Sequence, residues 1–264
     1  MSIIPKIIHC CWFGGGAKNE LITKCIDSWK KYCPDYTIYE WNETNFDLSS
    51  CIYVQEAYAA KKWAFVSDYV RIWALNQYGG IYLDTDVEIT ASMDHFLAHT
   101  AFTGFEKADS PFTAVFGCVQ GHPLTSAILS SYVDRHFLME DGSFDLQTNT
   151  ESVTNLLVST YSIRLDNSFQ QTSDGLVIYP NDYFCPKSHA DNIVRTTKNT
   201  HAIHWFDGSW MDPTIRTRHQ KVQKLNRLFG ERNVSNAIGI LYCLNQEGLF
   251  PYIKKRIKKY LLKK

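Results

Sequence analysis

An α/β fold built on a parallel sheet with crossover helices is predicted by two observations. Apolar runs of strand length alternate with segments of helical period over the first third of the chain, and turn residues mark the junctions between them. Residues 6–13 read as a buried strand, and Gly14-Gly15-Gly16 then lets the backbone turn sharply or approach a ligand closely. Leu21, Ile22, Cys25, Ile26 and Trp29 recur at helical spacing up to Pro34, after which residues 36–41 alternate as a second strand. More helix begins at residues 56–60. A further helix carries Val70, Trp73, Ala74 and Tyr78 as its apolar positions and stops at Gly79-Gly80, which ends a helix and turns the chain. Ile81, Tyr82 and Leu83 are β-formers, so a third strand follows at once and leads into Asp84-Thr85-Asp86.

The pattern then becomes mixed. Residues 101–105, 114–119 and 176–179 are short strand candidates, while 123–136 and 152–161 have helical spacing. Open α/β sheets bind ligands beyond the carboxyl ends of their strands, which is where Trp12, Phe13 and the two aspartates are expected to fall.

With 264 residues, 45% hydrophobic and 14% aromatic, the chain can bury one good core. The expected organisation is a catalytic domain over residues 1–230 and a C-terminal helical segment over 231–264. Eight cysteines are scattered without a C-x-x-C pair, as buried reduced thiols would be. No apolar run reaches membrane-spanning length and the opening residues lack a signal-peptide pattern, so the cytoplasm is the expected compartment. The formal charge is zero but uneven: residues 254–264 hold seven of the 27 basic side chains, leaving 20 basic against 27 acidic in the body. An acidic body argues against nucleic acid as a partner.

The chemistry concentrates between Ser67 and Asp86. Asp68 and Arg71 are three apart on a helix and share a face, either as a surface ion pair or as ligand-binding groups. By strand alternation Asp84 and Asp86 lean the same way at a strand's end, where they either cap the turn or ligate a divalent cation holding a phosphate. Oxygen donors suit Mn²⁺ or Mg²⁺, and an imidazole in the set favours Mn²⁺.

This arrangement resembles the sugar-binding DXD region of glycosyltransferases with a GT-A fold, and among these it is similar to family 32, which includes bacterial capsule and exopolysaccharide transferases and eukaryotic mannosyltransferases. Three segments carry the resemblance: Ile4-Pro5-Lys6-Ile7-Ile8-His9 with Trp12-Phe13-Gly14, then residues 67–86, then His201 to Trp210. The resemblance implies a GT-A fold and a hexose moved from a UDP-sugar to a growing surface polysaccharide. It implies Asp84 and Asp86 as metal ligands, Asp84, Asp86, Asp68 and Arg71 as catalytic groups, and Asp68, Arg71 and Asp84 in binding the donor, the first two through its hydroxyls. It also places Tyr82 near the donor sugar, with a core tyrosine as the alternative, and Ser209 with Trp210 over the diphosphate.

His204 is the candidate third metal ligand, against the reading of a core histidine beside Trp205, and related sequences often carry His-His where this chain has Ile203-His204. Trp12, with Phe13 beside it at the end of the first strand, is the candidate platform for uracil, with core burial as the competing reading. His9 reads as structural. Glucose or galactose is the expected hexose. Retention of anomeric configuration, also implied, needs a covalent intermediate or same-face attack, and no convincing nucleophile is visible in the sequence. Two other classes could use the same residues, a sugar-phosphate nucleotidyltransferase and a non-catalytic carbohydrate-binding protein.

The tail places Phe250, Ile253, Ile257 and Leu261 on one helical face with basic residues on the other. It reads either as a helix on the anionic inner face of a membrane, which would suit a lipid-linked saccharide acceptor, or as a solvated terminal helix. Asp145, Gln147 and Asn149 lie in a region without a recognisable motif and face either an acceptor or solvent.

Overall fold

The structure is a computed structural model describing residues 4–112, 114–208 and 213–238. Ser209, Trp210, Cys243 and the basic tail lie outside the described residues. The chain divides into two compact units, one formed by Met1–Lys187 with Val194–Trp210, the other by Ser188–Ile193 with Met211–Lys264.

The first unit is a mixed α/β layer structure, the α/β class expected from the sequence. Its elements run β1 (Ile7–Cys11), α1 (Glu20–Tyr32), β2 (Thr37–Trp41), α2 (Ile52–Ala59), α3 (Trp63–Tyr78), β3 (Gly80–Leu83), β4 (Val87–Ile89), β5 (Ala101–Gly104), β6 (Val115–Cys118), α4 (Pro123–Ser130), α5 (Asn149–Tyr161), β7 (Gln170–Gln171), β8 (Leu176–Tyr179) and β9 (Ala202–His204). Seven strands form the main sheet in the order β2-β1-β3-β6-β5-β8-β7, and β4 pairs with β9 in a separate ribbon. The strands β2, β1 and β3 are parallel, as the alternating pattern predicts. β6 runs against both β3 and β5, and β8 runs parallel to β5, so β1, β2, β3, β5 and β8 all end at the same edge.

Alternation along the strands divides the core in two. Ile8, Cys10, Ile81, Leu83, Val115 and Val177 pack on the face covered by α1, while Tyr82, Phe116, Cys118, Leu176 and Ile178 join α2 to α5 on the other. A sheet buried on both faces explains why its strands read as nearly continuous apolar runs.

The helices have local causes. Asn19 caps α1, its side-chain oxygen accepting from Ile22 N at 2.9 Å. At the end of α3, Gly79 and Gly80 have φ of +64° and +106°, and a Cβ on Gly80 would lie 2.7 Å from the carbonyl oxygen of Ile7. That close approach sets β3 directly beside β1. His9 fastens the junction: Trp41 Nε1 donates to its Nδ1 at 3.2 Å, so its Nε2 carries the proton and donates to Gly79 O at 2.8 Å. Burial pushes its pKa down to about 4, in keeping with the structural role expected of it.

The second unit contains α6 (Pro213–Phe229), on which Gln223 and Asn226 donate to the carbonyls of His189 and Ala190 at 2.9 and 2.8 Å. Its helical pattern is not anticipated by the sequence reading. The seven described cysteines are free, and six of them are buried. Among the described residues no helix is long and apolar enough to cross a membrane.

Candidate active site

The candidate site is assembled at the carboxyl edge of the sheet. Its first part comes from α3, which buries Phe65, Val66, Val70, Ile72, Ala74 and Leu75. A helix covered on more than one side keeps Asp68 and Arg71 from water, and their side chains are only 14% and 11% exposed. The surface ion-pair reading therefore fails. Arg71 Nη2 lies 2.9 Å from Asp68 Oδ1 and 3.2 Å from Asp84 Oδ1, its guanidinium stacks 4.6 Å from the centre of the Tyr82 ring, and its Nε donates to Ser67 O at 3.3 Å. Tyr82 donates its hydroxyl to Asp84 Oδ1 at 2.9 Å. One guanidinium thus ties the helix to the aspartate motif.

Electrostatics follow from that burial. Burial raises the Asp68 pKa and nearby Asp84 adds to the rise, opposed by Arg71 and by the Asn149 amide and backbone N–H. Burial also works against the charge on Arg71, but Asp84, Tyr82 and Asp68 overcome it and hold the guanidinium protonated. The Tyr82 hydroxyl is pushed up by burial and stays neutral.

The second part comes from the β3–β4 junction. The strand ends at Leu83, and Asp84, Thr85 and Asp86 form a turn closed by Val87 N donating to Asp84 O at 2.9 Å. The two aspartates are therefore not on strand positions, as alternation predicts, and turn geometry brings their carboxylates together instead. β4 then pairs antiparallel with β9, with Val87 opposite His204. This register delivers an imidazole from more than a hundred residues away: His204 Nε2 sits 3.4 Å from Asp86 Oδ1. Ligand atoms of Asp84, Asp86 and His204 all lie within 4.8 Å of one another.

Asp86 is held firmly, its Oδ2 accepting from Asp207 N at 2.7 Å and its carbonyl from Trp205 N at 3.0 Å. Burial raises its pKa, but His204 and the Asp207 N–H outweigh that and hold it below the usual range. Burial disfavours the charged imidazole of His204, yet Asp86 overcomes this and raises its pKa well above the ordinary value.

Two carboxylates and an imidazole form a donor set that suits Mn²⁺ or Mg²⁺. His204 is only 8% exposed and turns its Nε2 toward the carboxylates, which fits an imidazole held by packing and available for ligation.

The nucleotide side is less enclosed. Trp12 is half-buried at the end of β1, its Nε1 donating to Gly16 O at 2.7 Å, with the Lys18 ammonium 5.1 Å from its ring centre. Phe13 is buried in the core beside Trp41. Ser209 and Trp210 lie outside the described residues.

Several groups escape the sequence reading. Glu106 follows β5 at the same sheet edge, and its pKa is raised by burial and by Asp84 and Asp86 against the opposing pull of His204 and Lys107. Lys187 donates to Trp205 O and lies 5.1 Å from the Trp205 ring centre, while Glu88 accepts from Trp205 Nε1 at 2.9 Å. Asp145, an acceptor-facing candidate, is bound in an ion pair with Arg135 at 2.6 Å, Gln147 is exposed, and Asn149 is buried close to Asp68.

Known proteins are similar to parts of this chain. Residues 19–103 match the family model described as the glycosyltransferase sugar-binding region containing a DXD motif. Inositol phosphoceramide mannosyltransferase 3 of Schizosaccharomyces pombe is 30% identical over 134 residues, covering 46% of this chain and 35% of its own. Mannosyl phosphorylinositol ceramide synthase CSH1 of Saccharomyces cerevisiae is 28% identical over 141 residues, covering 49% and 35%. The chain thus spans about a third of the length of these curated relatives. Among solved structures, the PaToxG glycosyltransferase is similar at 18% identity and TM-score 0.44, covering 59% of this chain and 69% of its own. The galactosyltransferase LgtC in complex with donor and acceptor sugar analogs is similar at 12% identity and TM-score 0.43, covering 82% and 95%.

Proposed function

We propose that the protein is a metal-dependent glycosyltransferase that moves a hexose from a nucleoside diphosphate to a saccharide acceptor. The observation that carries this reading is the convergence of Asp84, Asp86 and His204 beside the buried Asp68–Arg71–Tyr82 network. A divalent cation held by the first three would neutralise the departing diphosphate and act as a Lewis acid. Arg71, fixed by two carboxylates and a tyrosine ring, presents a preorganised cation to the donor, and Asp68 offers a carboxylate to sugar hydroxyls. Trp12 supplies an aromatic edge for a base.

UDP-glucose or UDP-galactose is the proposed donor. The two yeast relatives are named as a mannosyltransferase and a mannosyl phosphorylinositol ceramide synthase, so nucleotide-activated mannose belongs in the same trial. Surface polysaccharide assembly remains the proposed setting, with the basic tail as a membrane contact.

The test is hydrolysis of these three nucleotide sugars with and without Mn²⁺. The reading predicts Mn²⁺-dependent release of nucleoside diphosphate from one of them, lost in Asp86→Asn with the fold unchanged by circular dichroism. Equal release in metal-free buffer would overturn it, and the absence of any release would favour a non-catalytic sugar-binding protein.

A further inference from the structure

The two compact units differ sharply in charge. The first holds 14 basic and 23 acidic side chains, a net charge of −9, while the second holds 13 basic and 4 acidic ones, a net charge of +9. So large an excess of one sign on a small unit attracts an anionic partner. Part of it lies in residues 254–264, but α6 is itself basic, with Arg216, Arg218, Lys221, Lys224 and Arg227 and no acidic residue.

One side of α6 is anchored. Gln223 and Asn226 are buried and donate to the carbonyls of His189 and Ala190, the Arg227 guanidinium donates to Asp191 O at 3.3 Å, and the His219 and His189 ring centres lie 4.5 Å apart. The other side is open. Arg218, Lys221, Leu225 and Leu228 recur at helical spacing along one stripe, flanked by Lys224 and Phe229. Leu225, Leu228 and Phe229 are 42%, 64% and 61% exposed, and Arg218, Lys221 and Lys224 take part in no ion pair among the described residues. Arg218 and Lys221 also border an open cleft of about 450 Å³, room enough for a phosphodiester headgroup.

Exposed apolar side chains interleaved with unpaired cations select the occupant. A nucleic acid or another polyanion would meet the cations and leave two leucines and a phenylalanine in water. An anionic bilayer takes both kinds of group: lipid phosphates pair with Arg218, Lys221 and Lys224, the apolar side chains enter the boundary between headgroups and acyl chains, and the long basic stems reach back to the headgroups. We infer that the outward stripe of α6 is a docking surface for an anionic phospholipid membrane, a contact made by α6 itself and separate from the one proposed for residues 254–264. The inference rests on the glycosyltransferase reading only for its purpose, bringing the enzyme to a lipid-linked acceptor, and binding is read without turnover.

The experiment is cosedimentation of the full chain with phosphatidylcholine vesicles, with and without about one third phosphatidylglycerol, alongside a titration with UDP and Mn²⁺ on the same preparation. Binding is expected only to the vesicles that contain phosphatidylglycerol. It should weaken at least tenfold both in Arg218→Gln with Lys221→Gln and in Leu225→Ser with Leu228→Ser, because charge and apolar burial each contribute. All four positions are exposed, so circular dichroism should show the fold retained in both double variants. Binding unchanged in both would assign the contact to residues 254–264 and overturn the inference. Binding lost with the cations but unchanged without the leucines would show a purely electrostatic contact and overturn it as well. Uptake of UDP and Mn²⁺ without vesicle binding would overturn the docking surface and leave the donor reading standing, whereas vesicle binding without that uptake would support the surface and remove the donor reading.

Discussion

Replacing Arg71 by Met tests the architecture of the site through stability. The guanidinium is 11% exposed and is the cation within 3.2 Å of both Asp68 and Asp84, which are themselves 14% and 25% exposed. Removing one partner of a buried ion pair costs roughly 3–5 kcal/mol, because the charge left behind is neither hydrated nor neutralised. Here Asp84 keeps the Tyr82 hydroxyl and some water, while Asp68 keeps the neighbourhood of Asn149. These retained partners put the expected loss near the lower end, about 3 kcal/mol.

The sign of the pH dependence separates this cause from lost packing. Burial already raises the Asp68 pKa and Arg71 opposes that rise, so without the guanidinium the folded variant binds a proton more readily at Asp68 than the unfolded chain does and recovers stability as pH falls from neutrality toward the carboxylate range. The assay is urea unfolding of wild type, Arg71→Met and Arg71→Lys at neutral and mildly acidic pH. Arg71→Lys, which keeps the charge, should lose less. A loss below about 0.5 kcal/mol, the range of an ordinary surface substitution, or a loss independent of pH, would refute the reasoning.

Two further outcomes follow from the sheet. His9 has its pKa pushed down to about 4 from an ordinary 6.5, so an unfolded chain takes up a proton below pH 6.5 that folded His9 refuses until about 4. Stability should fall by about 3 kcal/mol over that window, at roughly 1.4 kcal/mol per pH unit. Urea unfolding across the window should show a shallower slope in His9→Gln, and an identical slope would contradict the assignment. Gly80→Ala meets both a φ of +106° and the Ile7 carbonyl at 2.7 Å, so a loss of at least about 2 kcal/mol is expected. Thermal unfolding of that variant should move down by several degrees, and an unchanged midpoint would show that β1 and β3 can separate locally.

What the sequence reveals is the local part of the site. The period of residues 67–78, the glycine pair after it and the β-formers 81–83 specify helix, turn and strand without tertiary information, and the structure has all three. The placement of Asp84 and Asp86 departs from expectation because the strand stops at Leu83, where Asp84 N donates to Ala114 O on a neighbouring segment. A strand end fixed by a distant partner leaves no mark in local alternation. His204 is visible as a histidine beside an aromatic residue, but its delivery to Asp86 depends on two three-residue strands, too short to carry a period. Glu106 and Asn149 gain meaning only from what surrounds them. For α6 a signal did exist: Pro213 at its first position and a basic residue in its last turn are ordinary helix-boundary marks.

The central claim, that Asp84, Asp86 and His204 hold a divalent cation for a diphosphate, is tested most directly by electron paramagnetic resonance of Mn²⁺ titrated into the full chain with UDP present. The account predicts saturable loss of the free-ion signal in the wild type, at least tenfold weaker in Asp86→Asn with the fold intact. Undiminished uptake by Asp86→Asn, or no uptake by the wild type, would contradict it.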